Sequence, residues 1–508
     1  MERKVSFLIF ILVIITLNPS FAEEGLRTMF LNNSAVICGI NIRNFNSADF
    51  NQNGMIDENE ERGNFINAIN RLDEIKSLGI NTLHVLPVTP TGKLKALGTA
   101  GSLYAISSFD EINEQITDKN SPLNGYEQLK LFIDECHKRG IYVMIDLPSC
   151  GSYDLFLKNP KLFIKDNKRL SVVPTDWTDV RLLNTGDNKK LNQDLIDIHK
   201  KFVDMILSAG ADGIRADVAT IKPQKFWEEI IKYARSKNPE FLFLAEASDS
   251  WREPPSSYAQ FTPYDKLLEA GFDGYYGSFF NLKEWKKSED LIEHVKFNKK
   301  LLSSYEEAKS VILSFTTHDE LSPVLINGET FSKMICWLEG TLPFNPYIID
   351  GFQTGDEYIY QVANTKALNT ETDDDYYFVH RGKLDIFNFS RKPEGNFKEI
   401  ENEYKNAMKF RESHKDLITL GDFIPLKTNN EKIFAFARCY EGETIIVVGN
   451  LDFENTYKKT EVKISGLNQK HEISSINGKD ITKIRRGKMF CDINAGEIMV
   501  LHIDKFSI

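Results

Sequence analysis

"ADGIRADVA", residues 211–219, is a short apolar run that breaks at Arg215 and ends on a carboxylate, Asp217. Such a run reads as a strand of a parallel sheet buried on both faces, with its acid at the carboxyl end where barrel sites are built. Two later runs end the same way. Glu246 closes "FLFLAEASDS" at 241–250, and Asp319 follows His318 in "SVILSFTTHDE" at 310–320. Unpaired acids are costly at such positions, so three of them point to chemistry, and carboxyl groups facing one another suit the cleavage of a glycosidic bond.

Between about residues 35 and 355, runs of strand length alternate with amphipathic helical stretches. That alternation is the mark of repeated βα units. Strands are read at "AVICGINI", "NTLHVLPV", "IYVMIDLP", "DGIRADVA", "FLFLAEAS", "FDGYYGS", "SVILSFTT" and "NPYIIDGF", the eight that a (β/α)8 TIM barrel requires. "GNFINAINRLDEIKSLG" places Phe65, Ile69, Leu72, Ile75 and Leu78 on one stripe and stops at Gly79; "GYEQLKLFIDECHKRG" repeats the design and stops at Gly140. The stretch from 149 to about 192 is too long for a turn and is expected to form an excursion over the barrel mouth. From 395 to 508 the pattern becomes "KIFAFARCY", "ETIIVVGNL", "KTEVKISGL" and "EIMVLHI", split by turn glycines, which predicts an antiparallel β-sandwich domain packed directly on a barrel spanning 23–394.

Composition narrows the function. The chain has 508 residues, 42% hydrophobic, and a net charge of −11, which opposes a nucleic-acid surface and suits a neutral substrate. Residues 1–22 carry Arg3 and Lys4, an apolar run from Val5 to Leu17, and Ser20-Phe21-Ala22 ahead of Glu23. They read as a signal peptide of a secreted or periplasmic protein, with an uncleaved N-terminal membrane anchor as the alternative. No second hydrophobic span follows, and a monomer is expected. The six cysteines show no ligand spacing and read as core residues, with disulfides open to an extracellular chain.

Arg215 lies two residues before Asp217 and so shares its strand face, where it should hold Asp217 ionised and lower its pKa. Glu246 follows an apolar stretch with no basic neighbour in sequence, conditions that raise a carboxyl toward the range of a general acid. These segments resemble the conserved short regions of the α-amylase superfamily, glycoside hydrolase family 13, over nearly the whole chain after residue 22: "GIRAD", "AE", "HD" and "MIDLP". The resemblance implies Asp217 as nucleophile, Glu246 as acid/base and Asp319 as a carboxylate gripping the reacting sugar. It also implies substrate contacts by Tyr104, Asp146, Arg215 and His318. The expected activity is that of a retaining α-glycosidase on α-linked oligo- or polysaccharides. Transfer to an acceptor sugar, or glycan binding without turnover, are the alternatives.

Two departures bear on substrate. The family's third-strand motif usually continues to Asn-His, where this chain has Cys150 and Gly151, and its Lys-His after the nucleophile is replaced by Thr220-Ile221. The missing Asn removes a usual calcium ligand between barrel and excursion. A different Ca²⁺ site is expected after the first strand, where Asp49, Asn51, Asn53, Met55 through its carbonyl, Asp57 and Glu60 alternate around Gly54 in an EF-hand-like loop. Trp177, Trp251 and Tyr275-Tyr276 suit either sugar stacking or core packing, and Asp373-Asp374-Asp375 reads first as a solvated run.

Overall fold

The computed structural model describes residues 24–48, 50, 59–96, 102–174, 177–357, 397–479 and 481–508. The expected signal peptide, Asp49 and 51–58 of the expected calcium loop, and the 373–375 run lie outside them. Eight parallel strands close a barrel: β1 (Ile37–Ile40), β2 (Thr82–Val85), β3 (Tyr142–Leu147), β4 (Gly213–Ala216), β5 (Leu242–Ala245), β6 (Gly274–Tyr275), β7 (Ser310–Leu313) and β8 (Asn345–Ile349). Each falls inside a run read from the sequence. Neighbours follow chain order, and closure is made by β1 on β8, with Ile37, Cys38 and Gly39 opposite Tyr347, Ile348 and Ile349.

Alternation sorts the strand side chains. Ile37, Met144, Leu242, Leu244, Ile312 and Tyr347 fill the barrel interior, which Leu26 and Phe30 of the helix Leu26–Leu31 plug. Their neighbours Ile214, Phe243, Ala245 and Val311 join the cluster beneath the helices. The helix Gly125–His137 starts in a capping box made by Asn124 and Glu127. Gly140 beyond it takes φ 65°, the left-handed conformation that ends helices. The first expected helix is broken into Phe65–Ala68, a 3₁₀ turn at Ile69–Arg71, and Leu72–Ser77.

The excursion is a strand pair, Cys150–Ser152 against Val180–Leu182, with the helix Tyr153–Lys158 between. At the other end of the chain the expected boundary at 394/395 lies outside the described residues. Lys398–Ser413 is a helix whose Ile400, Tyr404, Ala407 and Met408 are buried in the barrel cluster. A Cβ on Gly340 of the helix Pro323–Thr341 would stand 3.0 Å from Ala407, so the two helices pack closely. The 3.6-residue spacing of its buried positions, not the strand alternation beyond, governs this segment.

The sandwich follows. One sheet has five strands, β9 (Asp422–Pro425), β11 (Ile433–Tyr440), β12 (Glu443–Asn450), β17 (Ile498–Ile503) and β14 (Ser474–Ser475) in that spatial order. The other has four, β10 (Lys427–Thr428), β13 (Tyr457–Lys463), β16 (Lys488–Ile493) and β15 (Lys483–Ile484). Ile433, Ala435, Ile446 and Val448 face Val462, Met489 and Cys491 between the sheets. On the opposite face Phe434, Phe436, Ile445 and Val447 join the barrel core, so the domains share an apolar interface.

Candidate active site

Strand register sets the catalytic geometry. Arg215 pairs with Asp146 of β3 on one side and Leu244 of β5 on the other, so Asp217 and Glu246 each stand one residue past paired alanines, Ala216 and Ala245. The Asp217 and Glu246 amides continue the ladder to the Leu147 and Ala216 carbonyls at 3.0 and 2.9 Å. The two acids are therefore side by side at the barrel mouth, each 7% exposed. Asp319 is placed differently: it sits on the loop beyond β7, and its side chain is 41% exposed.

Arg215 is fully buried and ties the acids together. Its Nη1 donates to both Asp146 oxygens at 2.9 Å and to Asp217 Oδ1 at 3.3 Å; its Nη2 lies 2.9 Å from Glu246 Oε1, and its Nε donates to Tyr276 Oη at 2.9 Å. Backbone amides complete the carboxylates. Ser149 N–H donates to Asp217 Oδ2 at 2.9 Å, and Val218 N–H to Glu246 Oε2 at 2.6 Å. Val218 takes φ 33°, a left-handed conformation costly for a β-branched residue, and that conformation carries its amide toward Glu246.

Tyr104 and His318 meet on the other wall. The Tyr104 hydroxyl donates to Asp146 Oδ2 at 2.9 Å and lies 2.7 Å from His318 Nε2, the two rings stacked at 5.7 Å. The opposite ring atom, His318 Nδ1, is buried with no hydrogen-bond partner among the described residues, which leaves it open to a ligand hydroxyl. Asp146, Arg215, Asp217, Glu246, Tyr104 and His318 are thus brought together by the fold, with Asp319 above them.

Electrostatics reverse the sequence expectation at Asp217 and agree with its direction at Glu246. Burial, and then the charge of Glu246, push the Asp217 carboxyl well above the ordinary range, and Arg215 only partly opposes them. Glu246 is also raised by burial, although Arg215 stands against it, which the linear sequence could not reveal. Two carboxyls in contact with one cation titrate as a pair and not independently. At Asp146 burial also acts upward, but Arg215 and the His84 hydrogen bond outweigh it and hold the group below its ordinary value. His318 is pushed down to about 4 by burial and by Arg215, so its ring is neutral.

Several participants escaped sequence reading. His84 on β2 lies 3.3 Å from Asp146 through Nε2 and 2.8 Å from Tyr347 Oη through Nδ1, and the absent Cβ of Gly39 leaves that hydroxyl its space. Its signal was a lone polar residue inside "NTLHVLPV". Lys222, 1% exposed, donates to the Ser149 carbonyl at 2.9 Å, so the positive charge that follows Asp217 supports a loop backbone. Tyr276 holds Arg215, whereas Tyr275 is core, its hydroxyl donating to Asn298 at 2.6 Å. Trp177 and Trp251 pack beside Cys150, Val218 and Ile221. None of the six cysteines forms a disulfide. At Gly151 an added Cβ would meet the Phe163 ring at 2.8 Å, so the excursion fills the place where the resembling family has a histidine.

The fold and site define a (β/α)8 barrel with an acid pair at its carboxyl mouth and a C-terminal sandwich. No family model matches the chain. It is 24% identical over 478 residues to "Alpha-amylase 3" of Dictyoglomus thermophilum, covering 84% of this chain and 86% of that one. It is 24% identical over 417 residues to an "Alpha-1,4-glucan:maltose-1-phosphate maltosyltransferase" of Arcanobacterium haemolyticum, covering 77% of this chain but only 55% of that protein's length. A "Cyclomaltodextrinase" of a Bacillus species is 24% identical over 413 residues, covering 77% of this chain and 66% of that one. Among solved structures, an α-amylase from Lactobacillus plantarum superposes with a TM-score of 0.67 at 20% identity, over 93% of this chain and 99% of that one. The chain is thus similar in sequence to proteins named α-amylase and cyclomaltodextrinase, and it shares its barrel-and-sandwich fold with a solved α-amylase.

Proposed function

We propose that the protein hydrolyses α-glucosidic bonds in oligo- or polysaccharides with retention of configuration. The observation that carries this reading is Arg215 contacting Asp146, Asp217 and Glu246 at once, with the two outer acids on adjacent strand ends. The reaction starts from the form with the charge on Asp217 and the proton on Glu246. Asp217 attacks the anomeric carbon as Glu246 protonates the departing oxygen; Glu246 then takes a proton from water, which releases the glycosyl group from Asp217. In this reading His318 Nδ1 and Asp319 hold the reacting sugar's hydroxyls, and Tyr104 lies under its ring.

The test is incubation with maltooligosaccharides, starch, sucrose and trehalose beside Asp217→Asn, following the anomer first released by NMR. Release of the α-anomer by the native protein and none by the variant is expected. Sugar binding without product from any of them would leave a binding protein instead. A second reading, transfer to an acceptor sugar, draws on the likeness to proteins named maltosyltransferases. Longer oligosaccharides made from one pure short substrate would select it.

A Ca²⁺ held by Asp49, Asn51, Asn53, Met55, Asp57 and Glu60 belongs to the same proposal. The donors are all oxygen, as a hard cation requires. Ala48 N–H donates to the Glu61 carbonyl at 2.8 Å, and Gly63 N–H to that of Arg43 at 2.7 Å, which ties together the two ends of the loop that would hold it. Export of a monomer by the N-terminal segment completes the reading; N-terminal sequencing of the secreted protein and its elution volume test it.

A further inference from the structure

Away from the barrel mouth, three side chains from separate elements converge where the barrel meets the sandwich. His414 follows the helix Lys398–Ser413, Glu443 opens β12, and His502 lies on β17. The β12–β17 register sets Ile445 against His502, which makes Glu443 and His502 diagonal neighbours on the sheet face turned toward the barrel. His502 Nε2 lies 2.6 Å and His414 Nε2 3.5 Å from the same oxygen, Glu443 Oε1. The three donor atoms lie within 4.8 Å of one another, the one such group among the described residues.

We propose that His414, Glu443 and His502 bind a first-row divalent transition ion, with Zn²⁺ the probe of choice, and that the ion clips the sandwich to the barrel. Two imidazoles and a carboxylate are borderline donors that favour Zn²⁺ over Ca²⁺ or Mg²⁺. Bonds of about 2.1 Å in a tetrahedral site put donors roughly 3.3 Å apart, so side-chain rotations of an ångström or so would close the shell. The hydrogen bonds that would orient the His414 ring are already in place. His414 Nδ1 stands 3.0 Å from the Phe410 carbonyl and 2.9 Å from Ser413 Oγ, which holds the proton on Nδ1 and leaves the Nε2 lone pair aimed at Glu443. The Phe410 ring lies against the imidazole with centroids 4.3 Å apart, limiting its rotation. The three side chains are 20–34% exposed, which leaves room for a water as fourth ligand.

The test uses the full chain, freed of metal and returned to excess Ca²⁺ so that oxygen sites are filled. Calorimetric titration with ZnCl2 should give one saturable equivalent, lost in His414→Ala/His502→Ala, and Co²⁺ should develop visible absorption in the native protein alone. Glu443→Gln, which keeps shape, should weaken binding by about 10-fold or more. Zn²⁺ should raise the Tm of the native protein and not that of the double variant. No saturable binding, or binding that the double variant leaves intact, would overturn the site and reduce the cluster to a hydrogen-bonded seam.

Discussion

Arg215→Lys is the sharpest probe of the site. The guanidinium serves four acceptors, Asp146, Asp217, Glu246 and Tyr276, from inside a fully buried position. Lysine keeps the charge but offers three N–H groups on one nitrogen in place of a planar fork, so it cannot span four partners on different strands. A charge-assisted hydrogen bond contributes about 1.5–3 kcal/mol and a neutral one about 1. Losing one carboxyl contact and the phenol contact costs about 2.5–4 kcal/mol in total, or roughly 70- to 900-fold in kcat/KM. Arg215 also opposes the upward push on both carboxyls, so its retreat raises both pKa values further. In the proposed reaction Asp217 must be ionised to attack, hence the acid limb of the pH–rate profile should move to higher pH. Initial rates on a p-nitrophenyl α-maltooligosaccharide across the acid and neutral range measure both effects. A kcat/KM within about threefold of the native value and an unmoved acid limb, with the circular dichroism unchanged, would refute the reasoning.

Three further outcomes are expected. Burial holds Lys222 down at about 8, against roughly 10.4 in an unfolded chain, so between those values the unfolded state binds more protons and stability rises with pH. Lys222→Met should abolish that rise in urea-unfolding midpoints; an equal rise in the variant would rule Lys222 out as its source. Arg411, 4% exposed, donates to the carbonyls of Asn33, Glu339, Leu342 and Phe344 at 2.6–3.1 Å. Arg411→Met strands them and should cost about 3 kcal/mol or more, a drop in Tm of roughly 3 °C for a chain of this size, read by calorimetry; an unchanged Tm would contradict it. Chelation should lower the Tm and added Ca²⁺ restore it, with Asp57→Asn insensitive to both; a Tm indifferent to chelator would remove the calcium loop.

What the sequence determined by itself was periodicity and order. Eight apolar runs, the two-residue spacing of Arg215 and Asp217, and the succession Asp217, Glu246, Asp319 are local properties, and local properties survive in a string of letters. Contacts made across strands came from the fold. Barrel register put Glu246 within 2.9 Å of an arginine 31 positions earlier in the chain, and set His84 of β2 against both Asp146 and Tyr347. It also reversed the expected shift at Asp217, because burial beside a second acid outweighs one shared cation. The Phe163 ring against Gly151, the helix Lys398–Ser413 packed on the barrel, and the meeting of His414 with Glu443 and His502 have the same origin. In each case the partner is chosen by how layers pack, and packing joins residues whose distance along the chain carries no signal.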